Sequence, residues 1–457
     1  MLNIGSTPAS SGKWGLFQNW LFQLMAVFAV GVALAFVGCG SDEDDEDDHD
    51  HEDEAFMEET IEVDGRQVVV LEGRLNADRT LSADSDYLLR GAVFVEGGAT
   101  LTIEPGVKIF GEQANNGTLI IAQGSKIMAN GTADAPIVMS SDAVIGNRAR
   151  GQWGGLIING SAPTNQGVTF GEGDTGAFGG NNPTDSSGVL RYVRIEYAGI
   201  EFSPDNELNG IAFQGVGSGT VAAYIQVHMN QDDGIEFFGG TVNLKYALVT
   251  GARDDSFDWT DGWTGKGQFW IAQQYGDDAD NGFEVDNSSK NNEATPRSAA
   301  TIYNVTLVGD PSGPESDNGM LIREGAAGTY ANFIVTGFNK IGLDIDGESS
   351  IAQAEGGDLV VKNSIFFGNG RANFGDEKDD DGFDEAGFAT GNGNEETDPG
   401  LADPFNKTVP DFTPGAGATV VSAASPPSDG FFEPANFIGA VDPSNNWLSG
   451  WTTSDQN

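Results

Sequence analysis

The sequence predicts an all-β chain wound as a single-stranded parallel β-helix, a solenoid, behind an N-terminal signal and an acidic tether. Three observations predict it. The first is a motif repeated six times: Asn209-Gly210-Ile211-Ala212-Phe213-Gln214, Asp233-Gly234-Ile235-Glu236-Phe237-Phe238, Asp255-Ser256-Phe257-Asp258-Trp259-Thr260, Asn281-Gly282-Phe283-Glu284-Val285-Asp286, Asn318-Gly319-Met320-Leu321-Ile322-Arg323 and Ile341-Gly342-Leu343-Asp344-Ile345-Asp346. Its second positions are separated by 24, 22, 26, 37 and 23 residues, the length of a coil that closes its hydrogen bonds by stacking on its neighbours. The second is a companion series upstream of the motif: Tyr192–Ile195, Tyr224–Val227, Ile302–Val305 and Ala331–Ile334. The third is punctuation: 65 glycines, many after Asn or Asp, part short β-branched and aromatic runs, and no helical periodicity is sustained after the signal. Propeller repeats run longer, near 40 residues, and a sandwich does not keep one motif in register six times.

Residues 1–38 read as a signal. Trp20 to Gly38 is apolar apart from Gln23, and it ends at Cys39, the sole cysteine. Phe36-Val37-Gly38-Cys39 resembles the lipobox of bacterial lipoproteins, which makes Cys39 the lipid attachment and the membrane a partner through that lipid. An uncleaved anchor is the alternative, since about 20 apolar residues span a bilayer. Residues 39–58 form the tether, expected to be disordered: eleven acids fall between 42 and 54, with His49 and His51 among them. A Ser and a run of acids just after the cysteine resemble the surface-export signal of Bacteroidetes-type lipoproteins, which implies an outer-membrane protein facing the exterior.

Residues 59–145 supply the first coils and the N-terminal cap, through Val93–Val107, Leu119–Ile127 and Ala135–Val138. Residues 146–415 form the main helix, with excursions at 160–188 and 371–400. The 37-residue step locates an insertion at Asn287–Arg297 and Asp310–Asp317. Alternation turns Ile211, Ile235, Phe257, Phe283, Met320 and Leu343 inward as one file. The Asn or Asp before Gly suits a left-handed or tight corner. Residues 416–457 are assigned to a C-terminal cap.

Charge bounds the partners. There are 22 Lys and Arg against 69 Asp and Glu, a net charge of −47, and without the eleven tether acids 58 remain on the body. Such a surface repels itself unless counterions screen it, which suits high salt, and it repels nucleic acid. One cysteine leaves stability to the apolar core.

Arg150–Gly160, Leu190–Pro204, Gly215–Asp261 and Phe431–Trp451 resemble exported bacterial β-helix lipoproteins of Bacteroidetes-like and leptospiral kinds. That likeness, across roughly residues 70 to 455, implies a right-handed parallel β-helix of the pectin-lyase type on the cell surface. It carries over no catalytic residue.

The outward positions carry the candidate chemistry. One column reads Ala212, Glu236, Asp258, Glu284, Leu321, Asp344, and its neighbour reads Gln214, Phe238, Thr260, Asp286, Arg323, Asp346. Stacked carboxylates repel unless they share protons or hold a cation. Adjacent coils would bring acids near the separation of about 5 to 5.5 Å used by retaining glycosidases. A catalytic reading therefore names Glu236, Asp258 and Glu284, with Arg323 or Lys245 as the cation. Asn230-Gln231-Asp232-Asp233 resembles the paired-aspartate segment of polygalacturonases, but their Gly-His-Gly and Arg-x-Lys segments are absent. His228, the only histidine of the body, is expected at the surface.

Asp254, Asp255, Asp258 and Asp261 supply hard oxygens in a compact turn, a candidate Ca²⁺ site, with Asp277–Gly282 as a source of further ligands. Glu377–Gly382 imitates a calcium loop but has Phe388 where its closing Glu belongs. Trp153, Trp263 and Trp270 are candidates for sugar stacking, whereas Trp259 falls inward. The expected function is a lipid-anchored, non-catalytic surface β-helix in adhesion, glycan contact or envelope architecture; a polysaccharide lyase or glycoside hydrolase is the alternative.

Overall fold

The computed structural model describes residues 55–63, 66–203, 206–378 and 382–457. Cys39, the signal, the tether acids to Glu54 and Asp379–Asp381 lie outside the described residues. Among those described, no helix is long and apolar enough to cross a membrane.

The chain is a parallel β-helix. Twenty-five strands form one continuous sheet, and its pairings are parallel except the first, where Met57–Val63 runs antiparallel to Arg66–Leu75. That hairpin starts two residues inside the stretch assigned to the tether. The motif strands stack as expected: Ile211–Gln214, Ile235–Phe238, Phe257–Thr260, Phe283–Val285, Met320–Ile322 and Ile341–Ile345 pair in sequence order. Ile211, Ile235, Phe257, Phe283, Met320 and Leu343 are register partners and fully buried. Aromatic rings thicken the file, with Phe237 on Trp263 at 4.1 Å and Phe257 on Trp270 at 4.8 Å between centroids. Each such pair adds about 0.5–1.5 kcal/mol beyond its burial.

The companion strands form the opposite wall: Gly188–Glu196, Val221–His228, Asn243–Thr250, Lys266–Gln273, Ala299–Val308 and Ala327–Thr336. Each bends at one left-handed residue: Tyr192, Tyr224, Tyr246, Phe269, Asn304 and Asn332, at φ from 49° to 65°. Bulky aromatics resist this conformation by about 1–2 kcal/mol. Here they stack along the axis, Tyr192–Tyr224 at 4.3 Å, Tyr224–Tyr246 at 4.4 Å and Tyr246–Phe269 at 4.9 Å, which offsets the cost.

Of the left-handed or tight corner expected before each motif strand, the structure has the tight one. Gly210, Gly234, Gly282 and Gly319 keep negative φ. They are needed for close approach: a Cβ on Gly234 would lie 2.6 Å from the Ser256 carbonyl, and one on Gly282 would lie 2.6 Å from that of Gly319. At three corners the residue two places before the motif strand also ties the coils. Asp233 Oδ1 accepts from the Asp255 amide at 2.9 Å, Asp255 Oδ1 from the Asn281 amide at 2.6 Å, and Asn318 Oδ1 from the Ile341 amide at 3.1 Å.

The C-terminal segment does not close the end of the solenoid. It runs back along the flank as a strap. Asn332, Gln268 and Gln226 each grip one strap residue with a two-way amide bond, at Ala424, Glu433 and Thr453 respectively, at 2.7–2.9 Å. Leu248, Ile271 and Val308 pack against its Ala440, Val441 and Leu448.

Candidate functional site: the carboxylate column

Strand pairing places Ala212, Glu236, Asp258, Glu284, Leu321 and Asp344 in one file, as the alternation requires. The file is sunk rather than displayed. Glu236 is 7% exposed and Asp344 1%. Asn209 Nδ2 donates to Glu236. The 160–188 excursion lies over this side of the body: Asn165 N donates to the Asp261 carbonyl at 2.8 Å, and Phe178 meets Phe238 at 6.2 Å.

At the corner beside the file the aspartates of successive coils gather. Three sets of carboxylates each bring one oxygen within 4.8 Å of the others: Asp232, Asp233 and Asp254; Asp233, Glu236 and Asp258; Asp254, Asp255 and Asp280. Arg323 answers part of this charge. Its Nε donates to Asp286 at 2.9 and 3.2 Å, and a terminal nitrogen donates to Glu284 at 2.7 Å.

Burial raises every carboxyl of the array, and like charges in adjacent coils raise most of them further. Asp233, Glu236, Asp255 and Asp258 stand well above the usual carboxylate range. Asp232 is pushed up to about 8, with Glu207 and Asp254 adding to burial. Glu284 reaches about 8, burial and Asp286 outweighing the pull of Arg323, and Asp280 about 7. Glu236 and Asp258 lie within hydrogen-bonding reach, a contact that either a shared proton or a bound cation must hold.

The donor set fits a hard cation. Oxygens at about 2.3–2.6 Å from Ca²⁺ lie within roughly 5 Å of one another, and the three sets meet that spacing. Asp258 Oδ1 is buried without a hydrogen-bond partner, an acceptor left over by the protein itself. Of the four aspartates expected around calcium, Asp254, Asp255 and Asp258 enter these sets. Asp261 does not: it lies past the far end of its strand and accepts from Gln166 at 2.6 Å. From Asp277–Gly282 only Asp280 joins, because Asp277 pairs with Arg150 and Asp278 with Arg253. Asp232, Asp233 and Glu236 were not expected as ligands, although Asp232 and Asp233 stand in the aspartate pair already conspicuous in the sequence.

Other expectations are corrected. Lys245 is far from the column and binds the Phe431 carbonyl and Glu433. Trp153, Trp263 and Trp270 are fully buried, and their indole N–H groups donate to Glu196, Val242 and Leu244 carbonyls. They are core, unavailable to a sugar. His228 points outward from its coil but is completely buried beneath the strap.

The pectate-lyase-like β-helix domain model matches residues 73–405. The chain belongs to this family. No curated protein and no solved structure matches the chain. Within this pectate-lyase-like β-helix the matched span holds all the corner aspartates, Glu284 and Arg323, and it stops short of the strap.

Proposed function

We propose that this pectate-lyase-like β-helix is a non-catalytic protein of the cell envelope, anchored by lipid at Cys39, that contacts glycans and uses Ca²⁺ to knit its carboxylate column. One observation carries the non-catalytic reading: most of these acids are already engaged, and the spare oxygen of Asp258 is buried away from solvent. Asp233 and Asp255 cap amides of the next coil, Glu236 is bound by Asn209, and Arg323 is forked onto Asp286 and Glu284. A general base or nucleophile needs a free lone pair facing substrate. The anchor and the outward orientation rest on the Phe36–Cys39 junction and the acids after it. The −47 charge supports high salt and disfavours nucleic acid.

A polysaccharide lyase or glycoside hydrolase is the second reading, favoured by the proton that Glu236 and Asp258 share when no cation bridges them. Incubating the full chain with a panel of polysaccharides, with and without Ca²⁺, separates the two. The non-catalytic reading expects no new ends under either condition. Product release abolished by Glu236→Gln or Asp258→Asn would overturn it.

A further inference from the structure

The flank bearing the left-handed aromatic column holds a second site, away from the carboxylates. Beside the stacked rings opens a cavity of about 310 Å³, lined by Arg191, Val221, Tyr224, Lys245, Tyr246 and Glu433 among others. Sites for small molecules run from about 300 to 1,000 Å³, so this one has room for a single sugar unit. Its wall is held in place before any ligand arrives, because Tyr192, Tyr224 and Tyr246 brace one another ring on ring.

We infer that this cavity binds a neutral hexose unit of a glycan. The Arg191 side chain is exposed and, among the described residues, makes no hydrogen bond or ion pair; its guanidinium lies 5.2 Å over the Tyr224 ring. That leaves a planar fork of N–H donors free for neighbouring hydroxyls. Glu433 supplies the acceptors. Its carboxylate is oriented by Lys245 at 3.1 Å on one oxygen and the Tyr246 hydroxyl at 2.8 Å on the other, yet its side chain stays 49% exposed, and each oxygen can accept a further bond. Val221, 45% exposed, gives an apolar wall for ring C–H groups. Lys245 and Glu433 cancel, and one guanidinium on a molecule of net charge −47 does not recruit a polyanion. Donors, acceptors and an apolar wall in balance match an uncharged, hydroxyl-rich ring.

This site gives the glycan contact proposed above a place and a ligand class, and in that sense rests on it, but it needs neither calcium nor the column. Titration calorimetry on the full chain in EDTA, with neutral hexose oligosaccharides and matched uronate oligomers, tests it. Neutral oligosaccharides should bind in EDTA, and Asp258→Asn should leave that binding unchanged. Arg191→Ala should weaken it at least about tenfold, the loss expected for hydrogen bonds to a charged group. The melting temperature should change little, because the Arg191 side chain loses only its exposed contacts with the Tyr192 and Tyr224 rings, worth about 0.5–1 kcal/mol each. Glu433→Gln should weaken it similarly. Four outcomes would overturn the assignment: no neutral oligosaccharide binds, both variants bind as the parent does, uronates bind more tightly, or chelation abolishes binding. The last would move glycan contact to the carboxylate column and leave the cation reading standing.

Discussion

His228 shows how much a single side chain's setting depends on distant sequence. Its Nε2 must donate to the Asp455 carbonyl at 2.7 Å, so its Nδ1 accepts from the Thr250 hydroxyl at 2.7 Å. Tyr197 also donates to Asp455, and Tyr275 stacks edge-on to the imidazole. The charged groups facing it are Glu196, which favours a second proton and is itself paired to Arg194 at 2.9 Å, Arg194, which opposes it, and Asp455. Burial dominates and lowers the His228 pKa. A base lowered in the folded state stabilises it above its ordinary value of 6.5 and loses that contribution as pH falls below it. Acidification should therefore loosen the end of the strap, read as a change in Trp451 fluorescence or proteolysis after residue 447, and His228→Gln should flatten that response. Alternation correctly turned His228 out of its coil; its burial was illegible because the cover lies 227 residues away. Gly234→Ala tests the corner at the same scale: overpacking against the Ser256 carbonyl should cost about 1–3 kcal/mol in chemical denaturation.

At the scale of elements, the motif strands were readable because each repeats an apolar–polar alternation that only one register satisfies. The column Glu236, Asp258, Glu284 followed from it directly. The companion strands were half readable. Asn304 and Asn332 signal a left-handed bend, but Tyr192, Tyr224, Tyr246 and Phe269 do not, since only their stacking makes that conformation affordable. Removing a ring from the interior should be severe. Trp270→Ala loses contacts to Phe237, Phe257 and Phe283 and the bond to the Leu244 carbonyl, and should cost about 3–5 kcal/mol by denaturant titration. An equal loss from Phe367→Ala, whose ring is 37% exposed, would contradict the stacked interior as the source of stability.

Across the whole molecule the corner carboxyls make stability depend on pH and on cations together. A carboxyl raised in the folded state stabilises it fully below its unfolded value, near 3.8 for Asp and 4.5 for Glu. That contribution is lost as pH climbs through the folded value, about 7 for Asp280 and about 8 for Asp232 and Glu284. In EDTA the melting temperature should fall between about pH 4 and 8. Millimolar Ca²⁺ should restore it at the alkaline end, and identical curves with and without calcium would exclude a bracing ion. The strap is the other feature of this scale, hidden from sequence because side-chain amides of Gln226, Gln268 and Asn332 grip its backbone and so impose no pattern on its residues. In a solenoid each turn otherwise knows only its neighbours. Arg194 donates to the Trp451 carbonyl across 257 residues, so the lacing begins with the last turns and finishes on early ones. A chain made from its N-terminus therefore keeps this seam open until residues 424–453 emerge, long after the turns they fasten have formed.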